Sequence, residues 1–168
     1  VARAIALSLK GKGEAALACM DRARALRGGD EAVLACLEAG VLGNTNDGVR
    51  IQDVYMRCMG VISRCRARGD SAGTALCAMT LGFLDGTTGD HQGALRYFTE
   101  ALNLFLARGD SLRACLMMEN IGLAQRKLGK YSEAQKAYQE ALTLARLWGE
   151  QRLAVELLND LSMLYSEM

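Results

Sequence analysis

The sequence predicts an all-α fold assembled from repeated helix hairpins. Three observations carry that prediction. Gly-Asp stands at Gly29-Asp30, Gly69-Asp70 and Gly109-Asp110, and Gly149-Glu150 continues the series at the same 40-residue spacing. A period of that length is the mark of a repeat architecture. The composition is that of helices: Leu, Ala, Glu, Arg and Met dominate, proline is absent and aromatics make up only 5%. Between the glycines, apolar residues recur at helical spacing.

The punctuation has a physical basis. Glycine just past a helix end takes the left-handed conformation without a Cβ penalty. An Asp after it accepts from the free amides of the next helix and suits the positive end of its dipole. Gly-Asp therefore ends one helix and begins another. A second set of glycines, Gly11, Gly89 and Gly129, falls about midway between the first set. The expected helices span 2–10, 13–27, 30–42, 50–67, 70–86, 90–107, 110–128, 131–147 and 150–167. The stretch Gly43-Asn44-Thr45-Asn46-Asp47-Gly48 is a polar turn cluster, longer than the other turns. Residues 1–168 form one repeat domain, with units at about 1–29, 30–69, 70–109 and 110–149 and a half-unit at 150–168. The chain begins at Val1 rather than Met and reads as a piece of a longer one.

Charge and cysteine usage narrow the function. Twenty Lys and Arg face 19 Asp and Glu, a formal net charge of +1. That balance argues against direct binding of nucleic acid or an anionic membrane. The six cysteines, Cys19, Cys36, Cys58, Cys65, Cys77 and Cys115, form no C-x-x-C pair, and the one histidine, His91, has no ligand at metal spacing. They fall within helical patterns, as buried free cysteines do. No signal peptide and no apolar run of about 18 residues is present. A cytoplasmic protein with reduced thiols, no metal and no cofactor is expected.

The best-formed unit reads Met118-Glu119-Asn120-Ile121-Gly122, then Leu128-Gly129-Lys130-Tyr131-Ser132-Glu133-Ala134, then Tyr138 and Ala141. Forty residues earlier, Ala78, Leu81, Gly82, Gly89, His91, Ala94, Phe98 and Ala101 occupy the places of Met118, Ile121, Gly122, Gly129, Tyr131, Ala134, Tyr138 and Ala141. The first unit keeps Gly11, Ala16, Met20 and Ala23, and the last helix keeps Leu158, Leu161 and Tyr165. This pattern resembles the tetratricopeptide repeat. The longer period is similar to the 40-residue Gly-Asp class found in cell-polarity adaptors, kinesin light chains and bacterial regulators. The second unit departs from the pattern, and the family's proline after the second helix is missing throughout. The resemblance implies a right-handed α-solenoid of about four hairpins plus a final half-repeat. Gly82 with Ala94, and Gly122 with Ala134, are expected where the helices of a hairpin cross, with Phe98 and Tyr138 filling space toward the next repeat.

Other motifs are absorbed by this punctuation. Arg68-Gly69-Asp70-Ser71 and Arg108-Gly109-Asp110-Ser111 spell an adhesion tetrapeptide, but both sit at a repeat boundary. Gly11-Lys12-Gly13 and Gly86-Thr87-Thr88-Gly89 lack phosphate-loop spacing and read as turns. Asp85 and Asp90 lack the ligand density of a calcium loop. Met117-Met118 reads as core filler. No nucleophile–base arrangement is visible, so no catalytic residue is assigned.

In tetratricopeptide arrays the first helices of successive hairpins line a concave groove. The resemblance places Leu76, Met79, Phe83, Leu116, Glu119, Asn120, Leu123, Arg126, Lys127, Asn159 and Met163 on that surface, with Glu156 beside them. The family's carboxylate-clamp places hold Met79, Phe83, Asn120, Glu156 and Asp160, of which only Asn120 fits, so a chaperone-tail clamp is disfavoured. The expected function is a protein-interaction scaffold whose groove takes an apolar peptide or helix. Arg126 and Lys127 would select acidic residues beside the partner's apolar face. The alternative is a sensor region of a larger transcriptional or signalling regulator, its groove filled by a small ligand or an intramolecular segment. The helix over 150–167 is apolar nearly all round, which suggests self-association through 150–168 or cover from a following helix.

Overall fold

The computed structural model describes residues 32–33 and 48–168. Ala32 and Val33 are helical. The expected helices over 2–10 and 13–27, the rest of 30–42, Gly11, Gly29-Asp30, Cys19 and Cys36 lie outside the described residues. Residues 48–168 contain helices and turns and no strand. The chain divides into two compact units, Val1–Thr87 and Thr88–Met168.

In the first unit, α1 spans Gly48–Ala67 and α2 spans Ser71–Thr88. Val54, Cys58, Val61 and Ile62 are buried and mark one face of α1, while Arg64 and Arg66 occupy its last turn. The chain reverses at Gly69, whose φ is +66°. Asp70 N–H donates to Cys65 O at 2.9 Å and Gly69 N–H to Arg66 O at 3.1 Å, the paired closure of a Schellman motif. A Cβ on Gly73 would lie 2.6 Å from Cys65 Sγ, so glycine lets α2 begin tight against the end of α1. The helix α2 runs two residues past its expected end. Gly86-Thr87-Thr88 is its last turn rather than a loop, and Thr87 Oγ1 donates to Leu84 O at 2.8 Å.

The second unit holds α3 (His91–Ala107), α4 (Ser111–Lys127), α5 (Tyr131–Leu147) and α6 (Gln151–Glu167). Helix α3 packs on α4, α4 on α5 and α5 on α6, and α4 also touches α6. The turns repeat one chemistry. Gly89, Gly109, Gly129 and Gly149 all have φ between +70° and +89°. Asp90 Oδ1 accepts from Gly93 N at 2.8 Å, and Asp110 Oδ1 from Arg113 N at 3.2 Å. Lys130 and Glu150 hold the same places before α5 and α6 but form no side-chain cap. The core joins Cys115 of α4 to Ala134, Tyr138 and Ala141 of α5 and Leu153, Leu157 and Leu164 of α6.

The small-residue expectation holds at Gly122, with a correction to its partner. A Cβ there would meet the Tyr138 ring at 2.6 Å. Tyr138 therefore packs on Gly122 inside its own hairpin rather than only toward a following repeat. Gly82 and Ala94 are both buried.

Candidate partner-binding groove

Leu76, Met79 and Phe83 lie on α2 in the first unit. Leu76 and Met79 are half-buried, and Phe83 is 39% exposed. The other eight expected groove residues lie on α4 and α6 of the second unit.

There the side chains divide. Leu116 packs against the core. Asn120 Nδ2 donates to Leu116 O at 2.6 Å, so this side chain is engaged by its own helix. Leu123 is 36% and Met163 50% exposed. Lys127 and Asn159 are exposed, and Glu119 is half-buried. Arg126 is only 8% exposed, and its Nη1 lies 3.3 Å from Glu167 Oε1. That guanidinium is committed to α6, which leaves Lys127 as the freer of the two expected cations.

The Arg126–Glu167 contact spans 41 residues. Glu119 and Asp160 are separated by the same interval and share a side-chain hydrogen bond. Two cross-links at one offset mean that α4 and α6 run parallel and in register. The links stand seven residues apart on each helix, or about 10 Å along the axis. Gly122 falls between Glu119 and Arg126, and the Tyr138 ring lies against it. The Tyr138 hydroxyl thus rises between the two links from α5. It is fully buried and has no hydrogen-bond partner among the described residues, and neither has Arg126 Nε.

Electrostatics follow from this placement. Burial pushes the Glu119 carboxyl up to about 7, and Asp160 and Glu156 push in the same direction while Arg152 opposes them. Burial also raises Asp160, with Glu156 adding to it and Arg126 and the Glu119 hydrogen bond acting against it. Glu119 accordingly holds its proton well above the usual carboxylate range, and in the shared hydrogen bond it is the donor to Asp160. Burial, then Asp160, holds the Tyr138 hydroxyl protonated. Glu167 and Tyr138 are the parts of this strip that sequence reasoning did not join to the groove, and Asp160 was placed there only as a clamp position that does not fit. The 41-residue offset between Glu119 and Asp160, and between Arg126 and Glu167, is the signal that could have joined them.

Outside the strip, a hollow of about 290 Å³ opens at the turn edge among Leu106, Asp110, Ser111 and Trp148. The described residues contain no group of three or more His, Cys, Asp or Glu placed to hold a metal, and no helix long and apolar enough to cross a membrane. Cys58, Cys77 and Cys115 are buried and form no disulfide among the described residues. Burial, with Glu150 behind it, pushes Cys115 up to about 11.

The hairpin that carries this strip decides the likeness. Residues 118–147 match the family model of the tetratricopeptide repeat. The match takes in the second half of α4, the Gly129 turn and all of α5. It therefore covers Gly122, Ala134 and Tyr138, whose contacts hold that repeat together. No curated protein matches the chain.

Proposed function

We propose that this chain is a protein-interaction scaffold that receives an apolar peptide or helix of a partner protein in a groove lined by its first-of-hairpin helices, with no catalysis of its own. The observation that supports it is the exposure of Leu123 on α4 and Met163 on α6, 40 residues apart on parallel helices that lie side by side. Exposed apolar residues at equivalent repeat positions form a continuous strip, and such strips supply binding anchors. Within the first unit, Phe83 holds the equivalent repeat position on α2 and is exposed as well. The expected location is the cytoplasm.

Selection of short apolar peptides on the immobilised chain, followed by calorimetry, tests the reading. Leu123→Asp and Met163→Asp should each weaken a selected peptide by more than about 2 kcal/mol, the hot-spot threshold, with melting temperatures little changed. Unaltered affinity in folded variants would remove the groove from consideration. The reading extends to self-association, because Val155, Leu158 and Tyr165 on α6 are also exposed. Sedimentation should then show a concentration-dependent dimer that Leu158→Glu disperses. A strict monomer would reject that extension.

A further inference from the structure

The geometry points to the Glu119–Asp160 pair as the seat for a cationic side chain, Lys or Arg, on the segment that lies along the groove. This names the partner chemistry of the groove reading above and rests on it. Charge is the first argument. Four carboxyls, Glu119, Glu156, Asp160 and Glu167, meet along this strip of α4 and α6, against two guanidiniums, Arg126 and Arg152. Arg126 is bound to Glu167, and Arg152 lies 3.8 Å from Glu156 at the exposed rim. Arg152 offsets the repulsion at Glu119 and Arg126 that at Asp160 only in part, and the central pair meets the remainder by holding a proton. An acidic partner segment would add to that repulsion, whereas a basic one relieves it.

The second argument is the buried hydroxyl. Tyr138 brings a fully buried O–H up between the two cross-links, without a partner among the described residues. A buried unsatisfied hydroxyl costs about 1–3 kcal/mol. The protonated pair spends its proton on its own internal hydrogen bond. When a Lys ammonium or Arg guanidinium settles on the pair, the shared proton leaves to solvent. Both carboxylates are then ionised, and the release of their mutual hydrogen bond lets one of them turn to accept from Tyr138 O–H. The half-buried setting of Glu119 and Asp160 makes a charge-assisted bond stronger than one at an open surface. Leu123 and Met163 beside the pair would receive the neighbouring apolar residues of the same segment. The occupant is thus an amphipathic segment with one basic residue among apolar ones.

Two measurements on the full chain test this. The first compares selected groove-binding peptides identical except at one position, which carries Arg, norleucine or Glu in turn. The arginine form should bind about 10-fold or more tighter than the norleucine form, and the glutamate form weakest. Asp160→Asn should erase the arginine preference, bringing the arginine peptide down to the norleucine one. Its advantage over norleucine should also shrink below about pH 7, where the pair holds its proton more firmly. Equal affinities for the three peptides would overturn the cationic seat and leave the groove standing. Failure of every peptide to bind would instead overturn the groove. The second measurement decides the seat without any peptide. Carboxyl carbon NMR follows Glu119 and Asp160 through a pH titration with N-acetylarginine amide or with sodium chloride at equal ionic strength. The arginine derivative should lower the pair's midpoint progressively beyond the salt control. Coincident titration curves would overturn the proposal.

Discussion

A carboxyl that keeps its proton in the folded state withdraws support from the fold when that proton is lost. Glu119 is pushed from an ordinary value of 4.5 up to about 7, first by burial and then by Asp160. Between those values the unfolded chain has released the proton and the folded chain has not. The folded state binds more protons there, so stability falls as pH rises through the window and is fully present below it. Asp160 is raised too and adds the same sign. Glu119→Gln keeps a donor toward Asp160 and carries no charge. At pH 8 it should stabilise the protein by on the order of 1–3 kcal/mol, an advantage that disappears near pH 4.5. Urea midpoints of both proteins across that range check this, and a pH-independent difference would show that the pair does not share a proton. Gly122 carries a second expectation. Gly122→Ala should gain helix propensity, yet its methyl would meet the Tyr138 ring at 2.6 Å. The variant should lose about 1–3 kcal/mol to overpacking, and a Tyr138→Leu background should abolish the penalty. The need for a small residue at Gly122 was legible from its repeat position. That the ring of Tyr138 fills the space was not, because periodicity gives a face of a helix and not the side chain that crosses it.

At the scale of elements, turn chemistry was the most legible feature. Each described Gly of the series takes positive φ, and Asp70, Asp90 and Asp110 cap the helices that follow. The departures have local causes. Helix α2 runs through Gly86-Thr87-Thr88 because Thr87 bonds back to Leu84 O and Gly89 can still supply the reversal. Lys130 has no oxygen to offer the first amides of α5. Lys130→Asp would create the missing acceptor, with Glu133 already three residues on to reach back as a capping box. It should raise stability by about 1 kcal/mol, and Asp90→Ala should lower it by a similar amount. Chemical denaturation of the two variants checks both signs, and a loss in Lys130→Asp would mean that the lysine makes a stabilising contact of its own. The groove was less legible than the caps. Leu116 and Arg126 share a helix with Leu123, but the first is drawn into the core and the second toward Glu167. Which residues of α4 face α6 depends on how the two helices sit in register, and only their cross-links fix that.

For the whole molecule, the repeat makes stability a sum of near-neighbour contacts. In the second unit each helix packs on the next, and the pairing that skips one helix, α4 with α6, carries the Glu119–Asp160 and Arg126–Glu167 links. Its core is drawn from α4, α5 and α6, with Tyr138, Leu157 and Leu164 among its most buried members. The chain divides into its two compact units at Thr87–Thr88, and each unit of a repeat array carries its own near-neighbour packing. A fragment of residues 88–168 should therefore fold without the first unit. Asp90 remains to cap α3, and the turns at Gly109, Gly129 and Gly149 remain intact. The fragment should show a helical circular dichroism spectrum and a single cooperative urea transition. It should also preserve the raised Glu119 titration, because the charged groups that shift it, Asp160, Glu156 and Arg152, all lie on α6 within the fragment. Helical content without a cooperative transition would mean that the second unit borrows its packing from the first. A cooperative fold with Glu119 titrating as an ordinary carboxyl would mean that α4 and α6 need the rest of the chain to meet in register.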